Sequence, residues 1–491
     1  MKHAMKKWAL FVLRWGIAII GIWWVVSNMT IRDRVNVLSE RDHPRPMPLA
    51  APAQEEAPSF QVNDVRTGTV RRVPRDQTVN RPERDDAKIT VNLDGATTET
   101  GLLGLDLTDD LKRVRRFLVA DPKTGDGVWV TAGQVVGAYQ IKVPRPRVEV
   151  GIASMVGTAN AGFLAAAVVV FPLVFLITAF RWNRLLDALG IHLSQPRTFT
   201  ISMVGAFYNT FMPGSTGGDV LKAYYASKQT HHRTRAVLSV VIDRILGLLS
   251  LIILGGVMAS IQYLLADDRS DPASRACLRV AIASVLLVGA SIIGGIVIHP
   301  RVRKAIGVES IVRRLPLQRQ VQNAMAVVDI CIRRIGLMIW AVAITIPVHI
   351  TVIVSAMLAG LAFDLPLPGA YYFVAVPVIV LAGAVPISPQ GAGVMEFFAI
   401  QLTKQYGTTV SQAVALTMSI RVVQILWSLL GGLFVLRGSY HAPTVKEREE
   451  LTHDDEDDTN AATAVDDPKR VEPASQSNGH TQTLKGESTV V

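Results

Sequence analysis

The chain has 491 residues, 49% of them hydrophobic and 18% charged, with a mean hydropathy of +0.32. Soluble domains carry about 25% charged residues, so the composition argues against a soluble multidomain enzyme. The net charge of +10 is uneven: residues 153–436 hold 21 Lys/Arg against 10 acids, and residues 437–491 hold 6 against 12. That pattern points to a polytopic membrane protein with basic cytoplasmic loops and away from a nucleic-acid binder.

A spanning helix needs about 20 mostly apolar residues. The first candidate is 9–26, preceded by Lys2, Lys6 and Lys7. A cleaved signal peptide would look similar, but residues 27–30 offer no small-x-small cleavage site, and Trp23-Trp24 suits a membrane interface. An uncleaved anchor over 1–27 is therefore expected. Residues 28–152 are different in character. Residues 41–58 read as a Pro-rich linker, while 88–93 and 127–143 alternate apolar and polar residues as short strands do. A small, partly disordered, β-rich extracytoplasmic domain without a catalytic motif is expected there.

Further spans are expected at 152–180, 236–266, 280–298, 335–363 and 411–436. Two apolar stretches, 199–218 and 365–402, carry Pro-Gly clusters in their middles, as re-entrant segments do. The loop 299–334 has eight Lys/Arg against Glu309 and Asp329, so it is placed in the cytoplasm. Arg181, Arg184 and Arg197 place 181–197 inside, and Lys222, Lys228, Arg233 and Arg235 place 219–235 inside, which makes 199–218 re-entrant. Counting spans from these loops puts 28–152 outside and the N-terminus inside. With the C-terminus inside, as Arg437, Lys446 and Arg448 suggest, 371–403 also returns to its starting side. The expected fold is an all-α polytopic membrane protein with six spans, two re-entrant hairpins and the β-rich domain. The membrane-embedded domain is expected over 153–436, and 437–491 is expected to be a disordered cytoplasmic tail.

The first broken segment contains Asn209, Pro213, Gly214, Gly217, Gly218 and Asp219, with Asp243-Arg244 in the next span. The second contains Pro386, Ser388, Pro389, Gly391, Gly393 and Glu396, with Arg421 in the next span. Asp219 precedes Arg244 by 25 residues, as Glu396 precedes Arg421, and Gly214 and Gly391 share the same offset of 177. Interrupted segments at matching positions of two halves suggest an inverted repeat with a site between them. Ionisable residues at membrane depth cost about 2.5–3.5 kcal/mol each on insertion scales and usually face a partner or a wet cavity. Purely structural pairing, for example of Arg244 with Asp219 or Asp243, is the plainer reading. The other is that Arg244 and Arg421 host a phosphate, whose geometry guanidinium matches bidentately.

Other candidates carry less. Cys277 and Cys331 make neither a disulfide framework nor a zinc site. The adjacent His231 and His232 lack metal geometry and suit a solvated loop. His349, a lone histidine in a span, is expected to be packed and hydrogen-bonded. No GxSxG, P-loop, HExxH or zinc spacing occurs, and no cofactor or metal is expected.

The strings 209–224 and 239–247, followed by 386–396, resemble the two signatures of the lysylphosphatidylglycerol synthase/flippase transmembrane family over about 150–440. The resemblance implies a membrane module associated with moving aminoacylated phospholipid. The chain departs from that pattern by lacking the aminoacyl-transferase domain and by inserting 28–152 after the first span. The expected function is translocation of a phospholipid or lipid-linked head group across the inner membrane, without enzymatic chemistry. The expected substrate-binding residues are Asn209, Asp219, Asp243, Arg244, Ser388, Glu396 and Arg421. Two alternatives stay open: a membrane-embedded transferase acting on a polyprenyl-phosphate or phospholipid, and a membrane-anchored assembly or sensor protein. Membrane lipids are the expected partners. A protein partner for 28–152 and a homo-oligomer are left open.

Overall fold

Period-two alternation in the N-terminal third produces strands. The computed structural model describes residues 29–437 except 40, 52–56, 65–67, 83–86, 94, 108–113, 137–146, 212–216, 231–232, 300, 303–304, 306–328, 330–331 and 386–387, together with Tyr440 and a few positions between 16 and 27. The expected anchor over 1–27 lies largely outside the described residues, as do most of the basic loop and the tail.

Nine strands follow: β1 Arg34–Leu38, β2 Pro44–Pro48, β3 Ser59–Asn63, β4 Val70–Pro74, β5 Lys88–Leu93, β6 Ala96–Leu107, β7 Val114–Ala120, β8 Gly127–Thr131 and β9 Val148–Glu149. They form three antiparallel sheets in the orders β2-β1-β9, β3-β4 and β5-β6-β7-β8. Inward-facing Val35, Phe60 and Val62 anchor one apolar cluster, and Val91, Leu105 and Val119 another. β2 lies inside the stretch that reads as a linker. Its prolines at 44, 46 and 48 alternate along an edge strand. The flanking bonds, Ser39 N–H to the His43 carbonyl and Leu49 N–H to the Asp33 carbonyl, set odd-numbered residues toward β1. Each proline thus turns its missing N–H to the open edge, the one place in a sheet that tolerates it.

Because β1 pairs with β9, this region returns the chain to where it left. The Gly151 N–H donates to Asp33 Oδ1 at 2.7 Å, and the Ile152 N–H to the Thr30 carbonyl at 2.9 Å. Thr30 and Ser411 also exchange hydrogen bonds, N–H to Oγ and Oγ–H to carbonyl, each 3.1 Å long.

From Gly151 onward the described residues are mainly helical: α1 Ile152–Thr158, α2 Ala161–Val170, α3 Pro172–Ala188, α4 Gln195–Phe211, α5 Gly217–Ser227, α6 Arg233–Leu264, α7 Pro272–Ile298, α8 Ile335–Ala362, α9 Gly369–Ala384, α10 Val394–Thr403 and α11 Val410–Leu436. The stretch expected as one span over 152–180 is three helices. Asn160 caps α2, accepting from the Gly162 and Phe163 N–H groups. Pro172 opens α3 at its first position, where its missing N–H costs nothing.

Among the described residues five stretches are long and apolar enough to cross a membrane: Ala161–Ala188, Arg233–Leu264, Pro272–Ile296, Ile335–Ala362 and Val410–Leu436. Only 17% to 33% of the residues in the apolar window of each are buried within the chain, and large apolar side chains along them, such as Ile245, Val285, Ile339 and Leu430, stand exposed. Only lipid suits so large an exposed apolar surface. The helix at the heart of the bundle is the shorter α9. Its Tyr371, Val374 and Ile379 are fully buried against residues of α6, α8, α10 and α11.

Candidate functional site

The two broken segments fold as helical hairpins, α4 with α5 and α9 with α10. In the first, Asn209 near the end of α4 reaches across the break, its Oδ1 accepting from the Gly218 N–H at 2.8 Å. The backbones cross so closely that a Cβ on Gly218 would collide with the Gly205 carbonyl. Asp219 sits in the first turn of α5, where the helix N-terminus favours a carboxylate. Pro213 and Gly214 lie outside the described residues, and Gly217 opens α5.

The second hairpin turns through a short helical turn, Pro389–Gly391. Gln390, Gly391 and Gly393 have φ of 50°, 67° and 80°. Glycine adopts this left-handed region freely, whereas Gln390 pays local strain of the kind found at functional sites. Its side-chain amide donates to the Thr210 carbonyl at the end of α4, tying one hairpin to the other. Glu396, in the first turn of α10, accepts from the Gly393 N–H at 2.8 Å. Ser388 is buried, and its hydroxyl has no partner among the described residues. Pro386 lies outside them.

Each acid meets the arginine 25 positions later. Arg244 on α6 contacts Asp219 at 2.5 Å, with the two side chains 32% and 24% exposed. Its other terminal nitrogen donates to the Ala384 carbonyl at the end of α9, in the second hairpin, at 3.2 Å. Arg421 on α11 contacts Glu396 at 2.7 Å, with exposures of 11% and 2%. The hydrogen bond of the pair runs from its other terminal nitrogen to the other carboxylate oxygen at 3.2 Å. Arg421 Nε is buried without a partner among the described residues. The two pairs are thus alike in sequence and unlike in setting: one is half-open and shared between hairpins, the other closed and contained in its own half.

Asp243, next to Arg244, faces a different helix. Its carboxylate pairs at 2.8 Å with Arg181 of α3, a residue that reads in the sequence as the end of a loop and is here buried inside the bundle. Sequence reasoning missed Arg181, Gln390 and the Ala384 carbonyl. Gln390 carried a faint signal, lying between two helix-breaking residues, Pro389 and Gly391; the other two depend wholly on packing. Among the described residues no group of three or more His, Cys, Asp or Glu gathers as metal ligands do.

Apolar spans around paired charges, with broken helices between them, define a multi-pass integral membrane protein. A family model for the lysylphosphatidylglycerol synthase TM region matches residues 151–432, well over half of the chain. The chain belongs to that family. No curated protein matches it. The match begins where β9 hands over to α1, so the sheets precede the family region.

Proposed function

We propose that the protein moves a phospholipid or lipid-linked head group between membrane leaflets, with Arg244 and Arg421 as phosphate hosts. The observation that carries the reading is the pair of arginines near the middles of α6 and α11, each set against a carboxylate at a helix break. A bare phosphate crossing hydrocarbon costs several kcal/mol even after relaxation. A guanidinium fork offsets that cost with paired charge-assisted hydrogen bonds. Asp219 and Glu396 then hold the forks while no phosphate is present and displace the head group on release. Asn209 and Ser388 supply neutral polar atoms beside them. Asp243 acts one step back, through its grip on Arg181.

In this reading the hairpins re-enter the inner membrane from opposite faces, with both termini in the cytoplasm and 28–152 outside. Support comes from the charge of the loops and from the packing. The first helix of each hairpin lies on the last span of the other half: Gly431 of α11 faces Met203 of α4, and Gly255 of α6 faces Pro377 of α9. The test is reconstitution into vesicles containing a fluorescent phosphatidylglycerol, followed by quenching of the outer leaflet. Protein-dependent loss of the protected inner pool without added nucleotide is the expected result. A protected pool equal to that of empty vesicles overturns the reading.

A further inference from the structure

The lone histidine of the spans is not alone in the fold. His349 lies at the middle of α8, and no other histidine occurs in the five spanning stretches. One turn before it on α8 is Thr345. Opposite, on α6, Asp243 and Gly247 are likewise one turn apart. Arg181 of α3 enters between these helices. Its Nε donates to Asp243 Oδ1 at 2.8 Å, one terminal nitrogen to Thr345 Oγ1 at 2.5 Å, and the other to the Asp243 carbonyl at 3.2 Å. His349 Nε2 lies 3.0 Å from the Gly247 carbonyl. A carbonyl only accepts, so Nε2 carries the hydrogen and Nδ1 is the basic nitrogen of the neutral ring.

We propose that Arg181, Asp243, Thr345 and His349 form a binding site for a coupling proton, taken up on His349 and linked through Asp243 to the state of Arg244. The proposal rests on the lipid-translocation reading and supplies it with a driving ion. With the ring neutral, guanidinium and carboxylate balance each other. A proton adds a second cation beside Arg181, and like charges at such range in a low-dielectric interior repel strongly. The imidazolium and Arg181 then compete for the one carboxylate, Asp243. Arg181 also holds the Asp243 carbonyl, which belongs to the peptide bond leading into Arg244. Loosening that hold frees the peptide plane that orients the phosphate-binding side chain. The one bond that forms and breaks is Nδ1–H of the imidazole, made from the ring nitrogen's lone pair with a proton from one face of the membrane and broken when that proton leaves to the other.

The other ionisable groups on helices packed against α8 have partners of their own. On α3, Arg184 stacks on Phe180 and Asp187 pairs with His192. On α6, Arg235 donates to the Leu189 carbonyl, Tyr263 lies under Arg269, and Arg233 is likewise engaged. Arg244 is held by Asp219 and Arg421 by Glu396. α2 carries none. Tyr372 of α9 packs on Gly360, three turns further along α8, and Tyr371 bonds to the Leu402 carbonyl. Arg181 is the charge that comes nearest, its terminal nitrogens flanking Gly247, whose carbonyl His349 holds, and Asp243 is bound to that guanidinium.

The test uses the full chain in vesicles of phosphatidylglycerol carrying its fluorescent analogue, with the two faces at equal pH or with one face acidified, and a pH dye inside. Wild type is expected to move lipid faster under the gradient and to carry protons as it does so. His349→Gln, which keeps a donor for the Gly247 carbonyl, is expected to lose both responses, with His349→Asn as the second variant if the first does not fold. His192→Gln, at an exposed position paired with Asp187, is expected to keep both. Lipid movement in wild type that ignores the gradient, or a gradient response retained without the imidazole, overturns the proton site and leaves the lipid reading standing. Absence of lipid movement in wild type under every condition removes the lipid reading, and the coupling with it.

Discussion

Arg421 binds both oxygens of a buried glutamate, whereas Arg244 divides itself between a half-exposed aspartate and a carbonyl of the other hairpin. The two should therefore respond differently to loss of charge. Arg421→Met strands the Glu396 carboxylate away from water, which for a buried pair costs about 3–5 kcal/mol. Arg244→Met leaves Asp219 with access to solvent and should cost clearly less. Thermal unfolding of the two variants in detergent measures this, and equal shifts would contradict the difference in burial. The 25-residue spacing set acid and arginine at matching places around each break, but it left Asp219 and Asp243 as equal partners for Arg244 and named no partner for Arg421; the structure pairs them with Asp219 and Glu396. The third pair was illegible. Arg181 and Asp243 are 62 residues apart, on helices whose mutual rotation is decided by packing that no local pattern records.

Helix breaks were the most legible elements, because proline and glycine mark them directly. The hairpins stand where the Pro-Gly clusters lie, and β5 spans the residues whose alternation announces it. β2 was hidden because prolines argue against a strand until its position at an edge is known. The split of 152–180 into three helices was hidden because the stretch carries no charge, and the marks it does hold, Gly157 to Asn160 and Pro172, are common within spans. Two glycines test the hairpin geometry. Gly218→Val drives a side chain into the Gly205 carbonyl. Backbone cannot step aside as a flexible side chain can, so the cost should reach or exceed the roughly 1–3 kcal/mol of an overpacked core. Gly289→Ala on α7 meets open space and should leave stability unchanged or slightly raised, alanine being the better helix former. Melting temperatures that rank the two the other way would contradict the crossing of α4 and α5.

At the scale of the whole molecule, the first helix of each hairpin packs on the arginine-bearing span that follows the other hairpin, α4 on α11 and α9 on α6, which in the proposed function is the route by which one half acts on the arginine of the other. The proposed orientation has its own test in a cysteine-free background. Thr97→Cys, exposed on β6, should react with an impermeant thiol reagent in intact cells, and Arg197→Cys, exposed at the start of α4, only after permeabilisation. The opposite pattern would invert the topology. The central claim is that the two arginines bind phosphate through their planar forks. Lysine keeps the positive charge and loses the fork. Lipid movement in vesicles by Arg244→Lys and Arg421→Lys, each first shown to fold as wild type does, measures the claim most directly. The account predicts that both variants lose most of the wild-type rate, and two folded lysine variants moving lipid at that rate would reduce the arginines to structural ion pairs.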